Sequence, residues 1–115
     1  MIDFACKRIE LKEVIKCGLG LSKADIKIMK TMMENNIKWF TSEMLAKKLN
    51  LNLSTIQRSL KRMHEKGIII RRQNNLDRGG YTYMYQIKSK KELIQIINSV
   101  VQNWTKNVES ELEKW

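Results

Sequence analysis

The segment TSEMLAKKLNLNLSTIQRSLKRMHEKGIIIRRQ, residues 41–73, contains two short amphipathic patterns separated by the turn NLNL. The apolar residues of the first pattern recur at helical spacing and follow Thr41, a residue type that caps helices. The second pattern places Ile56, Leu60 and Met63 at i, i+4 and i+7, which is typical of a helix with one buried face. Two short helices joined by so tight a turn predict a helix-turn-helix.

The second helix carries base-recognising groups on the face opposite its apolar residues. Arginine pairs with O6 and N7 of guanine, glutamine with adenine, and serine or threonine hydroxyls with either base. The N-terminal half of such a helix is the part that enters a major groove. A basic, solvated helix without a ligand is the alternative. The candidate DNA contacts on this face are Ser54, Thr55, Arg58, Lys61 and Arg62, with Gln57 at its flank.

A basic hairpin is predicted directly after this helix. Residues 67–87, GIIIRRQNNLDRGGYTYMYQI, comprise a β-branched run, a cluster of turn residues and an alternating run, which indicates strand, loop and strand. The tyrosines share one face by the period of two; most are expected to serve the core, with Tyr81 open to a contact role. Arg71, Arg72 and Arg78 are the residues that a nucleic acid is expected to meet. The predicted fold is therefore a winged helix, mainly α with a small β hairpin (α+β).

Further helices are predicted on both sides of this unit. One helix is expected over residues 3–17, and a second starts where Ser22 and Asp25 form a short-acid variant of the capping box. IKWFT, residues 37–41, is too short and too aromatic for a helix and is expected to be extended. Residues 90–115 read as one long helix. The expected organisation is an N-terminal helix in 1–21, the winged helix in 22–88 and a C-terminal dimerisation helix in 89–115.

The C-terminal helix carries an apolar stripe that its own small domain cannot cover. At 1.5 Å per residue it would be roughly 39 Å long. The stripe follows the ordinary helical period rather than a strict heptad, so no long left-handed coiled coil is expected. The simplest cover is the same helix and the N-terminal helix of a second copy in a twofold dimer; packing on its own domain is the alternative. The expected interface residues are Leu93, Ile97, Val100, Trp104, Val108 and Leu112.

The excess positive charge lies in one central block. Residues 47–91 hold twelve basic and two acidic residues, which accounts for the whole net charge of +10. Such a block is the footprint expected for a polyanion, either a nucleic acid or, as a less favoured alternative, an anionic membrane surface. No apolar run approaches the ~18 residues of a membrane span, and the N-terminus MIDFACKRIE lacks the shape of a secretory signal. A cytoplasmic protein with no membrane partner is therefore expected.

Little in the sequence indicates a metal site or catalysis. Cys6 and Cys17 would lie roughly 16 Å apart on the predicted N-terminal helix, too far for a disulfide. They are expected to be partly buried thiols, with a redox switch or a bridge between subunits as alternatives. His64 is the sole histidine, so no Cys/His metal set is available. Without a P-loop, a dinucleotide glycine pattern or a metal-ligand cluster, neither an enzyme nor a cofactor is expected.

The helix-turn-helix quoted above resembles the central unit of winged helix-turn-helix transcription regulators, particularly the small archaeal MarR-like and TrmB-like proteins. The resemblance covers about residues 22–88 well and the flanking helices more loosely. It implies that residues 52–62, beginning with Asn52 as a further candidate DNA contact, form the recognition segment. It also implies that Thr41 and Ser42 lie near a phosphate, and that Arg78 at the wing tip reaches toward a minor groove or the DNA backbone. MarR-like wings usually separate an aspartate from an arginine, whereas Asp77 and Arg78 are adjacent here.

The leading hypothesis is a dimeric regulator that binds specific sequences of double-stranded DNA, with the transcription machinery as a further candidate partner. The first rival is a module for RNA or single strands, suggested by the tyrosines and the basic block. Such platforms usually need aromatic residues on an exposed sheet of several strands, and this chain offers one aromatic strand. The second rival is a winged helix that binds a protein partner through its long helix; the basic recognition face argues against it.

Overall fold

The computed structural model describes residues 2–115, with the backbone alone described at residue 4. Met1, at the start of the predicted N-terminal segment, lies outside the described residues. The prediction of a mainly α fold with a small β hairpin is confirmed. The elements in chain order are β1 (Ile2–Phe4), β2 (Lys7–Ile9), α1 (Leu11–Leu19), α2 (Lys23–Glu34), α3 (Ser42–Leu49), α4 (Leu53–Glu65), β3 (Ile69–Asn75), β4 (Tyr81–Ile87) and α5 (Lys90–Glu113).

The chain forms two compact units. One is Ser22–Ser89, which contains α2 to β4; the other combines the segments Met1–Leu21 and Lys90–Trp115. In the first unit, α3 and α4 form the predicted helix-turn-helix, and Asn50 ends α3 in the left-handed conformation with φ of 53°. The core of this unit contains aliphatic side chains from every element and part of the methionine stripe of α2. Its buried residues are Ile28, Met29, Met32, Phe40, Leu45, Ile56, Leu60, Met63, Ile68, Ile69 and Ile87.

The hairpin follows α4 as predicted. β3 and β4 pair antiparallel in an unbroken register from Ile69 opposite Ile87 to Asn75 opposite Tyr81. Of the segment 37–41, expected to be extended, Phe40 forms a single bridge to Tyr85 in β4, with both N–O distances at 2.8 Å. The hairpin is thereby joined to the residue that precedes the cap of α3.

The predicted helix over residues 3–17 is wrong for residues 3–10 and confirmed for residues 11–17. β1 and β2 instead pair as a short hairpin, and α1 begins only at Leu11. An ion pair supports this hairpin, with Arg8 Nε 2.8 Å from the Asp3 carboxylate. The apolar residues before Leu11 fit a helical period and a period of two equally well, since each strand is only three residues long. Local spacing therefore could not separate the two structures.

Because a hairpin replaces the predicted helix at the N-terminus, the interpretation of the cysteines also changes. Cys6 lies in the turn between β1 and β2 rather than on a helix shared with Cys17. The helical separation used to exclude a bridge between them therefore does not apply. Both thiols are free and exposed, so the expectation of partly buried cysteines is wrong.

A buried ion pair joins α2 to α4. Ser22 and Asp25 form the predicted capping box: the Asp25 amide donates to Ser22 Oγ at 3.1 Å, and the Ser22 amide donates to Asp25 Oδ2 at 3.0 Å. Arg62 then donates to the same carboxylate through Nε at 3.1 Å and Nη2 at 3.0 Å. Asp25 is 0% exposed. A bidentate arginine is the partner that a carboxylate needs away from water.

The pKa of Asp25 reflects these contacts. Burial by itself raises the pKa, because it disfavours the charged form. Hydrogen bonds from Arg62, Ser59 and the Ser22 amide, together with the charge of Arg62, outweigh burial. The pKa of Asp25 therefore lies below its ordinary value of 3.8.

In the second unit, α1 packs along the first half of α5. A Cβ added to Gly18 would lie 3.9 Å from Val100 Cγ1, so the two helices approach closely at this point. The second half of α5 has no such cover within the unit, and its apolar residues Trp104, Val108 and Leu112 are exposed. None of the helices in the described residues is both long and apolar enough to cross a membrane.

Replacement of Arg62 by methionine should destabilise the fold, because Asp25 would remain buried without its cation. We expect the free energy of unfolding at neutral pH to fall by about 2–3 kcal/mol, below the range for fully buried pairs because the Arg62 side chain is 44% exposed. Arg58→Met is the matched control on the exposed face of α4 and should change stability by less than about 0.5 kcal/mol. Urea unfolding of both variants measures the difference, and equal losses would contradict the role of the pair.

Asp25 should also make stability depend on acid pH. Because its pKa is lowered on folding, its contribution is present above the ordinary value of 3.8 and is lost as pH falls through the folded pKa. We expect the free energy of unfolding to fall more steeply below about pH 4 in the wild-type chain than in Asp25→Asn. Urea unfolding at a series of pH values measures both curves, with Asp77→Asn as an exposed control. Parallel curves for the wild type and Asp25→Asn would refute this expectation.

Candidate nucleic-acid interface

The exposed face of α4 is a continuous polar stripe. Four exposed side chains follow one another at i, i+3, i+4 and i+7, the spacing of one helical face. These are Ser54, Gln57, Arg58 and Lys61. The opposite face has the same spacing and is buried, through Ile56, Ser59, Leu60 and Met63. Packing of the buried face therefore points the stripe into solvent, where a ligand can reach it.

Three further predicted contacts on this helix have different surroundings. Asn52 is the N-cap residue, but its side chain makes no capping hydrogen bond. Thr55 is half-buried at the edge of the stripe. Arg62 is turned toward Asp25 and also donates to Ser59 Oγ at 3.4 Å. Arg62 therefore holds α4 in place, a role that the sequence did not predict.

The start of α3 supplies two more of the predicted contacts. Thr41 caps this helix, since its Oγ1 accepts a hydrogen bond from the Met44 amide at 3.2 Å. Ser42 is half-buried and donates to a carboxylate oxygen of Glu43 at 3.5 Å. The Thr41 hydroxyl can still donate its own proton while it accepts the capping bond.

The wing tip is a tight loop over residues 76–80. The Gly79 amide donates to the Leu76 carbonyl at 3.1 Å, and the Leu76 amide donates to the Gly80 carbonyl at 3.1 Å. Gly79 and Gly80 have φ of 88° and 80°, values that side chains rarely adopt, which explains the glycine pair after Arg78. Arg78 itself is exposed at the turn of the loop.

Along the strands, the wing places its aromatic residues beside arginines. Arg71 lies over the Tyr83 ring at 4.3 Å, and Arg72 lies over the Trp39 ring at 4.3 Å. Tyr81 meets Tyr83 edge-on, with ring centroids 5.2 Å apart. These contacts between arginine and aromatic side chains were not predicted from the sequence. The alternation of Arg71 and Tyr83 on paired strands was a signal for one of them, but Trp39 lies far from Arg72 in sequence.

The tyrosines serve the core less than expected. Ile87 at the base of their face is buried, Tyr85 and Tyr83 are half-buried, and Tyr81 is 54% exposed. Burial raises the pKa of Tyr85, while Arg71 lowers it more weakly. A hydrogen bond with Tyr83 raises the pKa of Tyr81. Both phenols therefore stay protonated at neutral pH and can act as hydrogen-bond donors.

The cations of this surface are not neutralised by the protein. Within residues 2–115, the ion pairs of this unit involve Arg62 alone, and no carboxylate lies within 4.0 Å of the other basic residues of α4 and the wing. The described part of the chain also contains no cluster of side chains able to hold a metal ion. The unpaired cations of this surface can therefore attract an anion.

Known proteins resemble this chain in structure or in sequence. A solved structure described as a possible transcriptional regulator from Methanosarcina mazei Go1 is 47% identical, covers 100% of this chain and 96% of its own, and superimposes with a TM-score of 0.93. The uncharacterized protein MJ1503 of Methanocaldococcus jannaschii is 25% identical over 115 residues, which is 100% of this chain and 83% of that protein.

A more distant likeness confirms the winged-helix fold. A mutant MarR from E. coli complexed with operator DNA has a TM-score of 0.50 at 17% identity, and the match covers 90% of this chain and 71% of that one. At this identity the likeness concerns the fold alone. The model of the DnaD N-terminal domain matches residues 9–108, and the chain therefore belongs to the DnaD N-terminal domain family.

Proposed function

We propose that this protein is a transcription regulator of the MarR-like type that binds specific sequences of double-stranded DNA through α4. The observation that carries the proposal is the stripe of Ser54, Gln57, Arg58 and Lys61, exposed along one helical face with no acidic partner. The description of the Methanosarcina mazei relative as a possible transcriptional regulator and the operator DNA bound by the MarR mutant support it.

The order of residues along α4 suits entry into a major groove by its N-terminal half. Ser54, Gln57 and Arg58 lie in the first two turns, and their side chains match the hydrogen-bonding edges of adenine and guanine. Lys61 follows one turn later, where a flexible ammonium group suits a phosphate. Arg62 is omitted from the contacts because Asp25 holds its guanidinium.

Contacts outside α4 would position the protein on the duplex. Asn52 and Thr55 flank the stripe, and the hydroxyls of Thr41 and Ser42 lie at the N-terminus of α3, where helix amides favour phosphate. Arg78 at the wing tip would reach the minor groove or the backbone. Such contacts contribute affinity and register more than sequence preference.

We further propose that two copies pair through the second half of α5. Trp104, Val108 and Leu112 recur every four residues and are 58%, 43% and 58% exposed, which is unusual for a row of large apolar side chains. A second copy would present the same stripe, as a twofold interface requires. Of the other predicted interface residues, Leu93 is buried in the single chain, and Ile97 and Val100 are half-buried. The interface would therefore centre on the exposed stripe.

Selection of binding sites from random duplex DNA tests the function most directly. We expect an enriched sequence with two related half-sites, because a twofold dimer presents two recognition helices. On that site, Arg58→Ala should cost about 1–3 kcal/mol and relax the base preference at one position, whereas Lys61→Ala should weaken all duplexes alike. Equal losses on selected and random duplex for both variants would contradict the assignment. Tighter binding to single strands than to duplex of equal length would favour the RNA or single-strand alternative.

A charge in the α5 stripe should separate the two copies. Val108→Glu is expected to weaken self-association by about 100-fold or more, because an unpaired carboxylate in an apolar interface costs several kcal/mol. Gln102→Glu adds the same charge on the other side of α5 and should leave association unchanged. Sedimentation equilibrium measures both variants. A wild-type chain that is monomeric at micromolar concentration would refute the dimer.

A further inference from the structure

Arg71 and Arg72 are adjacent in sequence but lie on opposite faces of the wing. The pairing of β3 with β4 divides the exposed and half-buried residues of the hairpin into two sets. The tyrosine face consists of Arg71, Gln73, Asn75, Tyr81, Tyr83 and Tyr85. The tryptophan face consists of Ile70, Arg72, Asn74, Thr82, Met84 and Gln86, with Trp39 against Arg72. One straight duplex lying against the hairpin can meet only one of these faces.

On the tyrosine face, Arg71 is held in place and remains accessible. Its guanidinium rests on the Tyr83 ring at 4.3 Å, and Arg71 lies opposite Tyr85 on the paired strands. Tyr83 in turn is braced by Tyr81. A guanidinium carries five N–H donors, so most of them remain available to a ligand, and stacking on an aromatic ring reduces the freedom that binding would otherwise remove.

The tryptophan face has a different character. Arg72 lies over the Trp39 ring, and its Nη2 is 4.0 Å from the Met84 sulfur. Gln86 is used within the protein, since its Nε2 donates to the Ile37 carbonyl at 2.7 Å. With Ile70 39% exposed beside these groups, this face offers apolar surface and few free donors.

The tyrosine face also lies next to the N-terminus of α3, which is proposed above to contact phosphate. Tyr85 is bridged to Phe40 by two hydrogen bonds of 2.8 Å, and the next residue, Thr41, caps α3. A backbone strand that follows the N-terminus of α3 would therefore continue onto this face.

We propose that the tyrosine face contacts the sugar–phosphate backbone of the bound duplex, with Arg71 and the Tyr81 hydroxyl as donors, and that Arg72 makes no DNA contact. Tyr83 and Tyr85 act as positioning residues for Arg71, while Arg72 braces the wing on Trp39. This inference rests on the proposed function, and it assigns different roles to two arginines that the sequence treats as equivalent.

The salt dependence of duplex binding separates the two arginines. The probe is a random-sequence duplex of about 30 base pairs, long enough for two half-sites one helical turn apart. Arg71→Ala should reduce the slope of log K against log salt concentration by about 0.9 per protomer, because one phosphate contact is lost. Arg72→Ala is the matched control and should leave the slope unchanged. Thermal unfolding of both variants checks that the wing is intact.

Two substitutions at Tyr83 test the positioning role. Tyr83→Leu removes the ring beneath Arg71 and should lower affinity about threefold, in line with a cation–π contact at an exposed site. The salt slope should stay unchanged, because the charge of Arg71 remains. Tyr83→Phe keeps the ring and should retain most of the affinity. A merely structural role for Tyr83 would lower thermal stability and affinity together in both variants.

These experiments distinguish a wrong assignment of the two arginines from a failure of the proposed function. A wild-type chain that binds no duplex overturns that function and this inference with it. If the wild type binds and Arg72→Ala lowers the slope as much as Arg71→Ala, or if Arg71→Ala has no effect, only this inference is overturned. A larger loss for Arg71→Ala on a single strand than on the duplex also overturns it, since that pattern identifies a stacking platform.

Discussion

The arrangement of the unit Ser22–Ser89 depends on one buried carboxylate. Asp25 begins as a local feature, the acidic half of the capping box on α2, and its second role is to pair with Arg62 on α4. A carboxylate that is 0% exposed must be paired, because an uncompensated charge away from water costs several kcal/mol. This requirement ties α4 to α2 at a defined point and rotation, and the rotation decides which side chains of α4 face solvent.

The candidate interface consists of the side chains that the core does not bury. Burial of Ile56, Leu60 and Met63 leaves the opposite helical face exposed, and the pair with Asp25 withdraws Arg62 from it. In the wing, burial likewise decides which side chains are exposed, but the residues alternate with the strand period of two. Its base continues the core through Ile87, and each residue toward the tip is assigned to one face or the other by alternation. Arginine and aromatic side chains on each face then pair with each other rather than with carboxylates.

Much of this could be predicted from the sequence, where the signal was local and long enough. The helix-turn-helix, the hairpin and the long α5 each rest on a period repeated over seven or more residues. The caps at Ser22 and Thr41 rest on residue types that favour the position before a helix. The N-terminal segment contains no repeat of this length, because strands of three residues do not distinguish a period of two from one of 3.6. The prediction that Cys6 is partly buried was wrong for the same reason, because it assumed that Cys6 lies on a helix.

The sequence by itself determined which residues are polar, charged or apolar at each step of a helix or strand, and hence the winged-helix fold and the basic stripe. Only the tertiary structure decided which of those polar residues are free. Arg62 meets Asp25 across 37 residues, and Arg72 meets Trp39 across two elements, so no local period encodes either contact. The physical reason is that periodicity records the backbone's own hydrogen-bonding geometry, whereas the partner of a long side chain depends on which elements packing brings together.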